Sequence, residues 1–124
     1  MRFAKWVFTL AAIYGVIVLF PPLFLESALA RMSGPLTYPE YYYGFTLAAL
    51  VFQAMFLLIG RDPVRYRPLM IVGVFEKLSF AVPVWILLAL HRLGGPSVLP
   101  FATFDLVLGV LFAVAYVRTP RSAT

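Results

Sequence analysis

Four long apolar stretches with very few charged residues constrain this chain more than any other feature. Residues 6–25 and 41–60 contain no charged side chain, residues 98–117 contain one acid, and residues 68–90 contain one acid and one base. An α-helix rises about 1.5 Å per residue, so each stretch covers the roughly 30 Å hydrocarbon core of a bilayer. The sequence therefore predicts four transmembrane helices.

The composition supports the same interpretation. Hydrophobic residues make up 63% of the chain and charged residues 12%, whereas soluble domains have roughly 45–50% and about 25%. A transmembrane β-barrel is not expected, because polar and apolar residues alternate along its strands, whereas these stretches are apolar at both odd and even positions. We predict an all-α integral membrane four-helix bundle with short loops, a single domain over residues 1–124.

Basic residues are distributed unevenly between the two ends of the predicted helices. Because Lys and Arg accumulate in cytoplasmic loops, the bias predicts a bacterial inner-membrane protein with both termini in the cytoplasm. It also accounts for the net charge of +5, so the expected partner is the lipid bilayer and not nucleic acid. Seven basic residues lie at the cytoplasmic end, Arg2, Lys5, Arg61, Arg65, Arg67, Arg118 and Arg121, and two at the other, Arg31 and Arg92.

A cleavable signal peptide is the competing interpretation of the first stretch. Arg2 and Lys5 precede an apolar run that ends near Ala28, Leu29 and Ala30, which resembles a cleavage site. The apolar run is longer than the usual 7–15 residues of a signal peptide, which favours retention. Cleavage would leave three spans in the same orientation.

Prolines and small residues predict how the helices bend and pack. Pro21 and Pro22 should bend or end the first helix, and Pro83 removes a hydrogen bond to the Ser79 carbonyl, so a kink is expected there. Residues 94–97, Gly-Gly-Pro-Ser, should form a turn that caps the fourth helix. Small residues at four-residue spacing should mark the faces by which the helices pack. They are Ala11 and Gly15, Gly44 and Ala48, and Gly109 and Ala113. Asp105 shares such a face and should therefore point into the bundle or into an oligomer contact.

Several kinds of chemistry are not expected. The chain has no cysteine, so it lacks thiolate catalysis and Cys-ligated zinc or iron–sulfur sites. His91 is interpreted as a solvated interfacial residue. No phosphate-binding loop, nucleophile elbow or zinc-protease motif is present, and a hydrolase is not expected, although proximity of Ser97 to His91 stays open. We therefore predict no cofactor and no metal.

Ionisable residues inside the predicted spans are the principal candidates for a site, because a charge in the bilayer is costly unless it is paired or wetted. Glu76 and Lys77 lie in the third span and Asp105 in the fourth. A lysine stem, a kink or a water could bridge Lys77 to Asp105. Neighbouring helical side chains point about 100° apart, so Glu76 and Lys77 should find partners on other helices. For Glu76 the expected partners are Arg61, Arg65, Gln53 or Tyr14.

These polar residues have two interpretations. In the first, they fasten the third helix to its neighbours. In the second, Glu76, Ser79 and Pro83, spaced i, i+3 and i+7, line a polar cleft, with Asp105 at its outer mouth and Gln53 as the most polar residue of the second span. In that cleft Glu76 would relay a proton or hold the head of an amphipathic ligand.

A basic turn joins the second and third spans. Residues 61–68 include Arg61, Arg65 and Arg67 together with two prolines, which makes the turn short and rigid. We interpret it mainly as a topological anchor. Binding of anionic lipid headgroups or of a soluble partner is the second interpretation.

The layout resembles small bacterial DoxX-like membrane proteins. The resemblance rests on the four spans with short loops, the Arg-Asp-Pro turn at 61–63, Glu76 and Lys77 in the third span, and Asp105 in the fourth. It covers most of the chain. Some relatives in that group are associated with membrane oxidoreductase complexes, and because this chain has no cofactor ligands of its own, the resemblance implies an accessory subunit.

Three functional hypotheses follow. The first is a non-catalytic structural protein that packs with itself or serves a larger membrane complex. The second is a lipid-binding or small-molecule-binding protein or transporter with a polar cleft around Glu76, which requires a cavity there. The third is a lipid-modifying enzyme with Glu76 as its acid or base.

Overall fold

The computed structural model describes residues 2–35, 37–92 and 98–121. Within these residues the chain is helical and forms no β-strand. The elements are α1 (Arg2–Leu19), a 3-10 turn (Pro21–Phe24), α2 (Glu26–Ser33), α3 (Pro39–Arg61), α4 (Arg67–Ala89) and α5 (Leu99–Arg118).

Four segments are long and apolar enough to cross a membrane, which confirms the four long apolar helices predicted from the sequence. The first combines α1 with the 3-10 turn, Arg2–Phe24, and the others are α3, α4 and α5. α1 ends at Leu19 and gives way to the tighter turn at Pro21 and Pro22, as the two prolines predict.

The short helix α2 was not predicted. Its residues are too polar and too few to resemble a span, yet hydrogen bonds tie this region to α3. The Tyr43 hydroxyl donates to Glu26 Oε2 over 2.6 Å, and the Tyr42 hydroxyl donates to the Pro22 carbonyl over 2.6 Å. The predicted turn at 94–97, with Ser97, lies outside the described residues, while His91 is exposed.

The helices pack as two close pairs, α1 with α3 and α4 with α5. Contacts of α1 with α5 and of α3 with α4 close the ring, and the α3–α4 contact is the less extensive of these two. Three fully buried aromatic rings form the centre of the core. Phe8 and Phe112 stack with centroids 4.2 Å apart, and the Phe56 ring meets Phe112 edge-on at 4.9 Å.

The small-residue prediction is met on some faces only. Ala11 and Gly15 are buried against neighbouring helices, and Gly109 packs under the stem of Lys77. Gly44 and Ala113, in contrast, are exposed in this chain, as is Ala48. On α3 the reason is that the face carrying Thr46, Ala49 and Gln53 is buried, which turns Gly44 and Ala48 outward.

The basic segments meet at one end of the bundle. Arg67 Nε donates to the carbonyls of Tyr116 and Thr119 over 3.1 and 2.8 Å, and its guanidinium lies 3.8 Å from the Tyr116 ring centroid. The Arg118 guanidinium lies 4.7 Å from the Phe3 ring centroid. The start of α1, the α3–α4 turn and the end of α5 are thereby joined.

Candidate functional site

Lys77 is the buried centre of a cluster of charged side chains. Its ammonium nitrogen lies 3.5 Å from Asp105 Oδ1 on α5 and 3.6 Å from Glu76 Oε2 on its own helix. The same nitrogen lies 5.1 Å from the centroid of the Phe56 ring. The sequence-based bridge from Lys77 to Asp105 is present, and the long lysine stem is what spans the gap.

The expectation that Glu76 pairs away from its own helix is wrong. Glu76 shares the ammonium of Lys77, because the flexible lysine stem curls back although the two Cβ atoms diverge. Arg61 and Arg65 are exposed at the basic end of the bundle and do not form ion pairs with Glu76. Gln53, another expected partner, donates its amide N–H elsewhere. The cluster thus contains two carboxylates around one ammonium.

The three charged side chains differ in exposure. The Lys77 side chain is 4% exposed, whereas those of Glu76 and Asp105 are 13% and 17% exposed. Lys77 is therefore the most buried of the three.

A cavity of about 480 Å³ opens beside this cluster. Its volume lies within the range of about 300–1,000 Å³ that is usual for ligand pockets. All four spans, together with α2 and the 3-10 turn, contribute to its wall. The polar residues of the lining include Gln53, Glu76, Lys77, Ser79 and Asp105, and the aromatic ones include Tyr14, Phe45, Phe80 and Phe101.

One detail of the predicted cleft is wrong. Pro83 is exposed and does not line the cavity, because it lies about 10 Å further along α4 than Glu76 and beyond Phe80, the last α4 residue of the lining. Asp105 lines the cavity beside Lys77, and its placement at an outer mouth stays a prediction. Since α5 begins at Leu99, Asp105 is already about 9 Å into the helix.

Most hydroxyl donors of the cavity wall are already engaged. Tyr42 donates to a backbone carbonyl of the 3-10 turn, Thr46 Oγ1 donates to the Tyr42 carbonyl over 2.8 Å, and Ser79 Oγ donates to the Glu76 carbonyl over 2.6 Å. The Gln53 amide nitrogen donates to a carbonyl one turn earlier on α3.

Two buried acceptors remain without a hydrogen bond from the described residues. They are Gln53 Oε1 and Glu76 Oε2. Gln53 is itself fully buried and packs directly against Gly15, where a Cβ would clash with the amide. Two residues of the cavity lining therefore carry acceptors without donors from the described residues.

Sequence reasoning identified the polar floor but missed the aromatic wall. Phe45, Phe80 and Phe101 stand in apolar stretches where nothing distinguishes a cavity-facing ring from a lipid-facing one. On α3, Thr46, Ala49 and Gln53 are spaced i, i+3 and i+7 and share one face, a pattern that marks this stripe as one of two candidates for the inward face. That stripe forms the α3 wall of the cavity.

The basic turn divides into two parts. Arg61 and Arg65 are exposed. Arg67 instead caps the last carbonyls of α5, so the prediction that it belongs to the same free basic surface is corrected. Capping by a cation at a helix C-terminus is electrostatically favourable.

A scan against protein-family models found no matching family, and searches of curated proteins and of solved structures found no match.

Proposed function

We propose that this chain is a small bacterial inner-membrane protein that binds an amphipathic small molecule or lipid in the cavity beside Glu76. The observation that supports the proposal is the coincidence of a ligand-sized cavity with the charged cluster. Ligand pockets combine a largely apolar wall with a few converging polar groups, which is the composition of this cavity.

The outer surface supports placement in a membrane. Large apolar side chains on four different helices face outward, among them Trp6, Val51, Phe75 and Val117, each more than half exposed. An apolar surface of this extent is unfavourable in water and favourable in lipid. The joined basic end, with Arg2, Lys5 and Arg118, supports the orientation with both termini in the cytoplasm.

A fastening role explains only part of the charged cluster. The pair between Lys77 and Asp105 joins α4 to α5 and would serve that role by itself. Glu76 adds a second carboxylate on the same helix as Lys77, so it fastens no additional helix. A binding role explains why an extra carboxylate adjoins the cavity. The structural hypothesis therefore accounts for the Lys77–Asp105 pair, and the binding hypothesis accounts for Glu76.

Native mass spectrometry of the protein extracted from its membrane tests the proposal. We expect a retained small molecule on the wild-type protein and its loss in Ala49→Phe, because Ala49 lines the cavity and a phenyl ring would fill it. Ala48→Phe is the matched control, since Ala48 is exposed on the same helix. A ligand retained equally by both variants would contradict binding in this cavity.

The same experiment separates the other hypotheses. A ligand-free protein that co-purifies with another membrane protein would favour the accessory role implied by the DoxX-like layout. A ligand that is released chemically altered by the wild-type protein but unaltered by Glu76→Gln would favour the lipid-modifying enzyme.

A further inference from the structure

The chemistry of the cavity floor specifies the kind of head group that would fit it. Tyr42, Thr46 and Ser79 have already donated their hydroxyl protons to backbone carbonyls. Their oxygens, together with the carboxylates of Glu76 and Asp105, are left as acceptors. A ligand that brings hydrogen-bond donors would satisfy them, whereas a ligand that brings only acceptors would not.

The charge balance of the floor points in the same direction. Two carboxylates share one ammonium, which leaves one negative charge in excess when all three groups are ionised. An uncompensated charge is costly in a low-dielectric environment. A cationic head group supplies the missing charge, and both carboxylates line the cavity and are more exposed than Lys77.

The wall of the cavity suits an apolar tail and a cation together. Phe45 of α3 and Phe80 of α4 approach to a centroid distance of 5.8 Å, and Phe101 contributes a further ring. Aromatic faces attract alkyl chains and also cations. An acidic head would gain nothing from this wall and would be repelled by the excess carboxylate.

From these observations we infer that the ligand is a protonated amine carrying an apolar tail, with its ammonium beside the carboxylates of Glu76 and Asp105. The inference rests on the proposed cavity-binding function and names its substrate class. It assigns Glu76 to ligand charge compensation, while the pair of Lys77 and Asp105 holds the floor in place.

A ligand series on the unmodified protein tests the inference. Titration calorimetry on the full chain in lipid nanodiscs, corrected with empty nanodiscs, would compare hexylamine, hexanol, hexanoate and hexyltrimethylammonium at neutral pH. A simple alkylamine is protonated there, as a lysine amine is. We expect hexylamine to bind about tenfold or more tightly than hexanol, because its ammonium forms an ion pair with the carboxylates whereas a hydroxyl leaves their excess charge uncompensated.

Each alternative result has a defined meaning. Hexanol or hexanoate binding as tightly as hexylamine would overturn the charge argument, and hexyltrimethylammonium binding as tightly would overturn the donor argument. Failure of all four probes to bind would instead count against the proposed cavity-binding function. Because these comparisons use the unmodified protein, they hold even where a variant fails to fold.

Variants then test whether Glu76 is the carboxylate that compensates the charge of the ligand. We expect Glu76→Gln to lower hexylamine affinity toward that of hexanol and to change hexanol affinity less, because only the amine loses an ionic partner. Glu40→Gln is the matched control, since Glu40 is exposed in the first turn of α3 and lies outside the cavity lining. Unchanged hexylamine affinity in a folded Glu76→Gln protein would overturn the assignment of Glu76.

Discussion

Lys77 is a buried cation whose removal would leave two carboxylates facing each other across the cavity floor. Lys77→Met keeps the length of the side chain and removes its charge. Breaking a buried ion pair from one side costs about 3–5 kcal/mol, so we expect a loss of this order in the free energy of unfolding. Denaturant titration in mixed micelles would measure it.

The compensating variant distinguishes charge from packing. Combining Lys77→Met with Glu76→Gln and Asp105→Asn removes all three charges, and we expect most of the lost stability to return. Lys5→Met is the control, because Lys5 is exposed at the start of α1. A combined variant as unstable as Lys77→Met alone would mean that packing around the lysine stem, and not charge, accounts for the effect.

At the residue scale, the sequence identified the ionisable residues that cluster in the structure but not all of their pairings. Glu76, Lys77 and Asp105 were recognisable because ionisable residues in apolar stretches are costly. The pairing of Glu76 with Lys77 was not recognisable from the sequence, because it depends on the conformation of a flexible four-carbon side chain and not on helical spacing. Gln53 was selected as the most polar residue of its stretch, yet its unpaired oxygen became visible only in the structure.

A close contact between α1 and α3 depends on the absence of a side chain at Gly60. A Cβ there would meet the Thr9 hydroxyl and would lie 3.1 Å from the Thr9 backbone nitrogen and 3.4 Å from the Lys5 carbonyl. The hydroxyl can rotate away, but the backbone atoms cannot move without separating the helices. We expect Gly60→Ala to lower the free energy of unfolding by about 1–3 kcal/mol.

Gly44→Ala is the matched control for that prediction. Gly44 lies on the same helix, and a Cβ added there would have nothing within 4 Å. Alanine is the better helix former, so we expect Gly44→Ala to leave stability unchanged or to raise it slightly. Thermal unfolding of both variants in the same detergent would compare them, and equal losses would refute the steric argument.

The elements themselves were largely predictable because length and apolar content determine a spanning helix. The face of α3 that turns inward was not predictable, because Gly44 and Ala48 mark a small-residue stripe as clear as that of Thr46, Ala49 and Gln53. The helix α2 was missed because it depends on tertiary hydrogen bonds, including the one from Tyr43, and not on local propensity.

The bundle as a whole is packed closely at one end and open at the other. The phenyl rings of Phe8, Phe56 and Phe112 fill the closed part, while the cavity separates the helices on the side where α2 lies. A closely packed part and an open part of the bundle can have the same apolar composition. The polar residues therefore predicted a cleft, but the sequence did not predict the volume of the cavity or its aromatic wall. The lysine at their boundary connects core packing to the proposed binding site.

The orientation of the whole molecule can be tested because the chain contains no cysteine. Single variants Arg65→Cys and Arg92→Cys introduce one thiol at opposite ends of the bundle, both at exposed positions. Both variants keep most basic residues at the same end of the bundle. Arg65→Cys leaves six basic residues at that end and two at the other, and Arg92→Cys leaves seven and one. A membrane-impermeant maleimide added to intact spheroplasts should label Arg92→Cys and spare Arg65→Cys, with both labelled after lysis. The reverse pattern would place the basic end outside the cell and refute the cytoplasmic assignment of the termini.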